Sequence, residues 1–233
     1  MCILSKGIDE ISNSDEEIKN LIASRRDDIQ SLLTRYIKEI ETFNPAYGLV
    51  GAQDTNELII KHILDSLAPL GIIIRLLAQR RDEHKENKGD KARLADAGSG
   101  AGLPGIPLAI ALAECDFTLI ERMGRRAGFL LNTKAVLSLQ NVNIEEKELE
   151  KIKDVKFDLI TCRAFKPLEP KLLKIMLKIC APNGVIAAYK GKLQKIEAEM
   201  APLEALCGSW KAIPCTVPFL EEERHILVIK PKI

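Results

Sequence analysis

The chain has 233 residues, 46% of them apolar and 29% charged, with a net charge of +1. That is the profile of an ordinary soluble globular protein, and it excludes a disordered, fibrous or globally polycationic chain. Aromatic residues make up only 4%, so the core must be mostly Leu, Ile, Val and Ala, and the length suffices for one sizeable core with an appendage.

The charge is uneven. Residues 1–90 hold 12 basic and 16 acidic residues, whereas residues 91–233 hold 22 and 17. A modestly basic C-terminal part permits an anionic partner without demanding one. The six cysteines, Cys2, Cys115, Cys162, Cys180, Cys207 and Cys215, include no C-x-x-C pair and none sits near a His at ligand spacing. Neither a disulfide framework nor a metal site is expected, and Cys162 and Cys180 read as reduced core residues. The first residues carry no signal-peptide pattern, and the apolar stretch 102–113 is too short to span a bilayer. The expectation is a cytoplasmic monomer, away from membranes.

From Asp27, the apolar residues Ile29, Leu32, Leu33, Tyr36, Ile37, Ile40 and Phe43 recur at three and four. They mark one face of an amphipathic helix that Asn44-Pro45 should end. Residues 56–68 repeat the pattern through Leu58, Ile59, Ile63, Leu64 and Leu67. Residues 80–93, polar and containing Lys88-Gly89-Asp90, read as a solvated linker. Residues 1–90 are thus expected to be a helical N-terminal extension and linker.

Beyond it the pattern alternates. Leu94-Ala95 enters a glycine-rich turn; residues 117–120, 157–162 and 184–189 are β-like, and helical segments 126–139, 168–179 and 192–206 lie between and after them. Such alternation means βαβ units and a mostly parallel sheet. Residues 210–217 and 225–229 are β-like with no room for a helix between them, so they should form an antiparallel hairpin on the sheet edge.

The most informative segment is Asp96-Ala-Gly98-Ser-Gly100-Ala-Gly102-Leu-Pro-Gly105. It follows a strand and opens a helix, whose first turn should hold Pro104 and Pro107. Glycines let the backbone approach a ligand, and free N–H groups gather at a helix start. The dinucleotide fingerprint would need glycine at 103, where Leu103 stands, and no Lys-Ser/Thr follows as in a P-loop. The Asp-x-Gly-x-Gly-x-Gly spacing instead resembles the cofactor loop of class I S-adenosylmethionine (SAM) methyltransferases, with Asp96 near the methionine ammonium and sulfonium. About twenty residues on, Glu121 ends the next β-like run, where an acid can accept bonds from two ribose hydroxyls.

Four stretches are similar to the RsmG (GidB) family, which methylates N7 of one guanine in bacterial 16S ribosomal RNA. They are Asn44-Pro-Ala-Tyr-Gly with Lys61-His62-Ile-Leu-Asp65-Ser66-Leu67; Gly98-Ser-Gly-Ala-Gly-Leu-Pro-Gly-Ile-Pro107; Phe157-Asp-Leu-Ile-Thr-Cys-Arg163-Ala164-Phe165; and Tyr189-Lys190-Gly191 with Glu223-Arg224-His225. The resemblance implies an α/β class I methyltransferase domain over 91–233, Rossmann-like, with SAM as cofactor and 16S RNA or the small ribosomal subunit as partner. On that resemblance Gly98, Gly100, Gly102 and Leu103 would line the cofactor pocket, with Arg122 beside Glu121. Leu149-Glu150 would meet the adenine, and Arg163 would contact cofactor or target base. The chain departs from the family pattern at Gly48-Leu49-Val50, usually Asn-Leu-Thr; at Arg122, usually Ser; and at Glu148, often Arg.

Guanine N7 carries a lone pair and no proton, so methyl transfer to it needs alignment and electrostatics rather than a general base. Cys162-Arg163-Ala164-Phe165 lacks the Asn/Asp-Pro-Pro-Tyr of amino-group methyltransferases. Arg163 is the catalytic candidate; the bland alternative is a salt bridge to a neighbouring carboxylate. Phe165 is a candidate for stacking on guanine. Arg125, Arg126, Lys190 and Arg224, with His62, are the candidate RNA contacts, and Lys166, Lys171, Lys174, Lys178, Lys192 and Lys195 should rim the same cleft. The alternatives are a methyltransferase acting on a small molecule or protein, and a non-catalytic SAM- or nucleotide-binding module.

Overall fold

The computed structural model describes residues 2–84, 91–153, 155–163 and 167–232. Seven strands form one sheet: β1 (Arg93–Ala97), β2 (Asp116–Glu121), β3 (Val142–Glu146), β4 (Phe157–Cys162), β5 (Cys180–Lys190), β6 (Ser209–Cys215) and β7 (Arg224–Lys230). Their order is β3-β2-β1-β4-β5-β7-β6. The first five run parallel, and β7 lies antiparallel to both β5 and β6. The hairpin expected from residues 210–229 is therefore present at the sheet edge. Every residue of β4, Phe-Asp-Leu-Ile-Thr-Cys, is buried, as a parallel strand covered on both faces requires. β3 was not expected. Its sequence Val-Asn-Ile-Glu-Glu is mostly polar, yet Val142 and Ile144 pair with Phe117 and Leu119 on β2.

Crossovers are made by α7 (Gly105–Ala111), α8 (Gly124–Leu137) and α9 (Pro170–Ile179), with α10 (Leu193–Met200) after β5. From β1 the chain builds outward to β2 and β3, then returns to add β4 and β5 on the other side. The switch point between β1 and β4 opens a crevice at their carboxyl ends, where ligands bind in such sheets.

The N-terminal segment folds as α1 (Ile3–Asn13), α2 (Glu16–Ala23), α3 (Arg26–Tyr47), α4 (Thr55–Leu58), a π-helical stretch (Ile59–Leu64), α5 (Asp65–Leu67) and α6 (Leu70–His84). Two expectations are corrected. α3 does not stop at Asn44-Pro45 but runs through Pro45 to Gly48, which adopts φ +58 and ends the helix. The Asn44 side chain accepts from the N–H groups of Leu49 and Val50 at 2.7 and 2.9 Å, fixing the exit. Nor is the stretch from residue 80 a linker from its start. α6 continues to His84, and Arg80 forms a buried ion pair at 2.8 Å with Asp158 of β4. Lys88-Gly89-Asp90 lies outside the described residues.

Alternation along each strand sends side chains to opposite faces. Leu94, Phe117, Leu119, Leu159 and Val228 join Ile8, Leu33, Tyr36, Ile63 and Ile73 in one core with α7 and α8. Ala95, Ile120, Ile160, Ile186 and Leu227 pack with α9 and α10 in the other. The N-terminal helices thus cover a face of the sheet, and the larger core runs across residue 90.

Candidate active site at the carboxyl ends of β1, β2 and β4

The loop after β1 turns on three left-handed glycines, Gly98, Gly100 and Gly102, at φ +72, +58 and +91. They do different things. A Cβ on Gly98 would meet nothing within 4 Å, and one on Gly100 only the Gly98 carbonyl at 4.0 Å. Those two glycines border open space. A Cβ on Gly102 would lie 2.6 Å from Ile106 and 2.9 Å from Leu130. Leu103 is likewise buried in the core. Gly102 and the Leu103 side chain seat the loop on the helical layer, which leaves their backbone as the part that can face a cofactor.

Two carboxylates brace the loop. Glu121, buried at the tip of β2, accepts from Gly100 N–H at 2.9 Å and from Met123 N–H at 2.8 Å. Asp96, 1% exposed, accepts from Gly105 N–H at 3.1 Å and from the Thr161 hydroxyl at 3.0 Å. Asp96 therefore lies beneath the loop and braces it from below. Burial pushes its carboxyl up to about 6, against the hydrogen bonds from Gly105 and Thr161. The loop is also held from behind. Tyr36 of α3, fully buried, donates its hydroxyl to the Ala101 carbonyl at 2.6 Å. Sequence reasoning placed Tyr36 on the apolar face of a helix, and nothing in the 3.6-residue period marks a tyrosine hydroxyl as a loop clamp.

At the far side of the loop, exposed Arg122 and Met123 line a cavity of about 390 Å³ with Glu146, Glu148 and Lys151. Leu149 is half-buried and Glu150 exposed, its carboxylate 3.4 Å from the Lys171 ammonium. These residues stand just beyond β3, one strand out from Glu121.

Arg163 follows β4 directly. Its Nη2 is 2.9 Å from His62 Nδ1, and its Nη1 is 3.3 Å from Asp65 Oδ2. Asp65 also accepts from Arg224 Nε at 2.9 Å. A cavity of about 480 Å³ opens here, lined by His62, Asp65, Arg163, Tyr189 and Arg224. Three expected residues, His62, Arg163 and Arg224, are thus brought together, and Asp65 is the carboxylate that joins the two arginines. Burial and the Arg163 charge lower His62 to about 4, so its imidazole is neutral at pH 7. Burial pushes the Cys162 thiol up to about 12, which removes it as a nucleophile.

The expected basic rim needs revision. Lys190 has a side chain only 8% exposed and is paired at 2.6 Å with Glu199, which also accepts from Leu168 N–H. It borders the Arg163 cavity, with its ammonium taken by that carboxylate. Lys178 sits at the other end of α9, where its carbonyl accepts from Lys156, which precedes β4. Lys192 and Lys195 stay at the rim, lining a neighbouring cavity with Arg224. Arg125 lies 5.7 Å over the Tyr47 ring, and Arg126 is half-buried. Phe165 and Lys166 lie outside the described residues. Among the described residues no group of three His, Cys, Asp or Glu side chains could hold a metal, and no helix is long and apolar enough to cross a membrane.

The sheet order, the glycine loop after β1 and the acid ending β2 define a class I SAM-dependent methyltransferase. The same fold is found in magnesium protoporphyrin IX methyltransferase from Synechocystis PCC 6803 with bound SAM, at 12% identity and TM-score 0.53, covering 84% of this chain and 97% of that one. It is also found in a SAM-dependent methyltransferase from Aquifex aeolicus, at 13% identity and TM-score 0.51, covering 71% and 91%. The profile of the GidB family, rRNA small subunit methyltransferase G, matches residues 29–227. Ribosomal RNA small subunit methyltransferase G of Treponema denticola is 36% identical over 98% of this chain and 93% of its own length. The Klebsiella pneumoniae (strain 342) protein of that name is 36% identical over 90% and 92%. The chain belongs to the rRNA small subunit methyltransferase G family, and its cofactor is SAM.

Proposed function

We propose that the protein methylates N7 of a guanine in 16S ribosomal RNA, in the cytoplasm and as a monomer. The observation that carries this reading is the character of the mouth of the site. It presents a guanidinium, Arg163, beside a neutral imidazole and a carboxylate, Asp65, already held by two guanidinia. Such a site can orient and polarise an acceptor but has little with which to remove a proton, and guanine N7 has none to lose.

The residues present fit SAM. Gly98 and Gly100 leave bare backbone facing open space, and Glu121 lies where a nucleoside's ribose is taken in this fold. Glu121 has lone pairs beyond those used by Gly100 and Met123, with which it would accept the ribose hydroxyls. Arg122 and the Leu149-Glu150 segment would flank the adenine. When bound, SAM supplies a methyl group made electrophilic by its sulfonium. Arg163 would donate toward guanine O6, holding the base in line, and Arg125, Arg126 and Arg224 would meet the RNA backbone.

The test is incubation with methyl-labelled SAM and 16S RNA, deproteinised or in small subunits, followed by aniline cleavage at 7-methylguanosine. Label in one guanine, with cleavage there, is expected. Label recovered in any other methylated nucleoside, or none in RNA, overturns the reading.

A further inference from the structure

We propose that His62 and Asp65 are positioning residues that fix the Arg163 guanidinium across the mouth of the site. The N-terminal segment then builds part of the active centre. The inference rests on the RNA methyl transfer proposed above and names the parts of the same site that make its arginine effective.

Four acceptors for Arg163 come from a single stretch of chain. Besides His62 Nδ1 and Asp65 Oδ2, the carbonyls of Lys61 and His62 lie 3.4 and 3.5 Å from Nη1. That stretch is the end of a π-helical segment, a wider turn found mostly where its altered spacing is used. His62 can accept at Nδ1 only as the neutral tautomer protonated at Nε2. Nδ1 is the ring nitrogen that meets the arginine, at 2.9 Å. Asp65 is 6% exposed and carries two guanidinia, one on each oxygen. A carboxylate so buried is costly unless fully paired, and here its partners are the arginine after β4 and the arginine that opens β7.

Arg163 keeps 21% of its side chain exposed, and the wall it shares with His62 and Asp65 faces the 480 Å³ cavity. The guanidinium is gripped along one side and open on the other. Its planar fork makes that geometry directional.

The experiment compares the parent with Asp65→Asn, His62→Leu and His62→Asn in the full chain. Asparagine keeps an acceptor oxygen near the place of Nδ1; leucine does not. Single-turnover methylation of 16S RNA at saturating SAM and RNA should slow at least tenfold in Asp65→Asn and His62→Leu. His62→Asn should recover most of the rate. SAM affinity by calorimetry and the unfolding midpoint report separately on cofactor binding and folding. Arginine side-chain NMR on the RNA-free protein adds a readout independent of activity. The Arg163 Nη resonances should show hindered rotation in the parent and averaging in His62→Leu. Unchanged Arg163 mobility and rate in both severe variants overturn the proposal, as does His62→Asn behaving like leucine. A parent that fails to methylate RNA but shows the expected NMR change refutes the substrate assignment and leaves the arginine grip standing.

Discussion

Single residues at this site titrate in opposite senses. Asp96 has a folded-state pKa of about 6, above its ordinary 3.8, because burial penalises the carboxylate. Its contribution to stability is fully present below about pH 4 and is lost as pH rises through about 6. The shift corresponds to about 3 kcal/mol. His62 is depressed to about 4, so its contribution is present above its ordinary 6.5 and is lost as pH falls through about 4. Comparing Asp96→Asn with the parent cancels the histidine. The stability of the variant relative to the parent should rise by about 3 kcal/mol between pH 4 and pH 7, measured by urea unfolding. A flat difference would show that the acid is not held at a cost. The loop glycines separate as cleanly. Gly98→Ala places a methyl in open space, so SAM affinity should fall at least tenfold while stability drops only by about 1–2 kcal/mol from the left-handed φ. Gly102→Ala drives a methyl into Ile106 and Leu130 as well, so its unfolding midpoint should fall much further. Equal losses in both variants, by calorimetry and thermal unfolding, would contradict the division.

At the scale of elements, periodicity exposed what burial wrote into the chain and missed what side-chain hydrogen bonds wrote. The runs of β4, β5 and β7 were legible because both faces are covered and apolar residues crowd them. β3 was illegible because it is the outer strand, with Asn143, Glu145 and Glu146 facing partly exposed surroundings. The Pro45 exit is not visible in the periodicity because the decisive group, the Asn44 amide, acts five and six residues ahead through its own oxygen. The glycine loop, Glu121 and Arg163 were readable as a site; its supports, Tyr36 and Thr161, were not, since each lies inside an apolar run that packing alone explains. α3 supplies the test. Tyr36→Phe keeps the ring and deletes the donor to Ala101, leaving a buried carbonyl unpaired. SAM affinity should fall about three- to thirtyfold with the fold intact, measured by calorimetry and circular dichroism. A parental affinity would make Tyr36 a packing residue only.

Across the whole molecule, two buried tyrosines tie the N-terminal helices to the sheet in opposite directions. Tyr36 reaches from α3 to the glycine loop, and Tyr189 reaches from β5 to the Ser66 carbonyl at 2.8 Å. Between them lies the shared core, so the boundary near residue 90 separates two stretches of sequence but one hydrophobic interior. The Tyr36 contact turns cofactor binding into a matter of linkage. A ligand that binds only the folded loop stabilises whatever must open when the loop opens, by about 2.7 kcal/mol at a hundredfold excess over its dissociation constant. Amide protons in the middle of α3, which no cofactor atom need touch, should therefore exchange with deuterium more slowly when SAM is present. Those of α10, on the other face of the sheet, should gain less protection. Equal protection of both helices would mean that they open only with the whole protein; slowing confined to α3 would make that helix a remote reporter of occupancy.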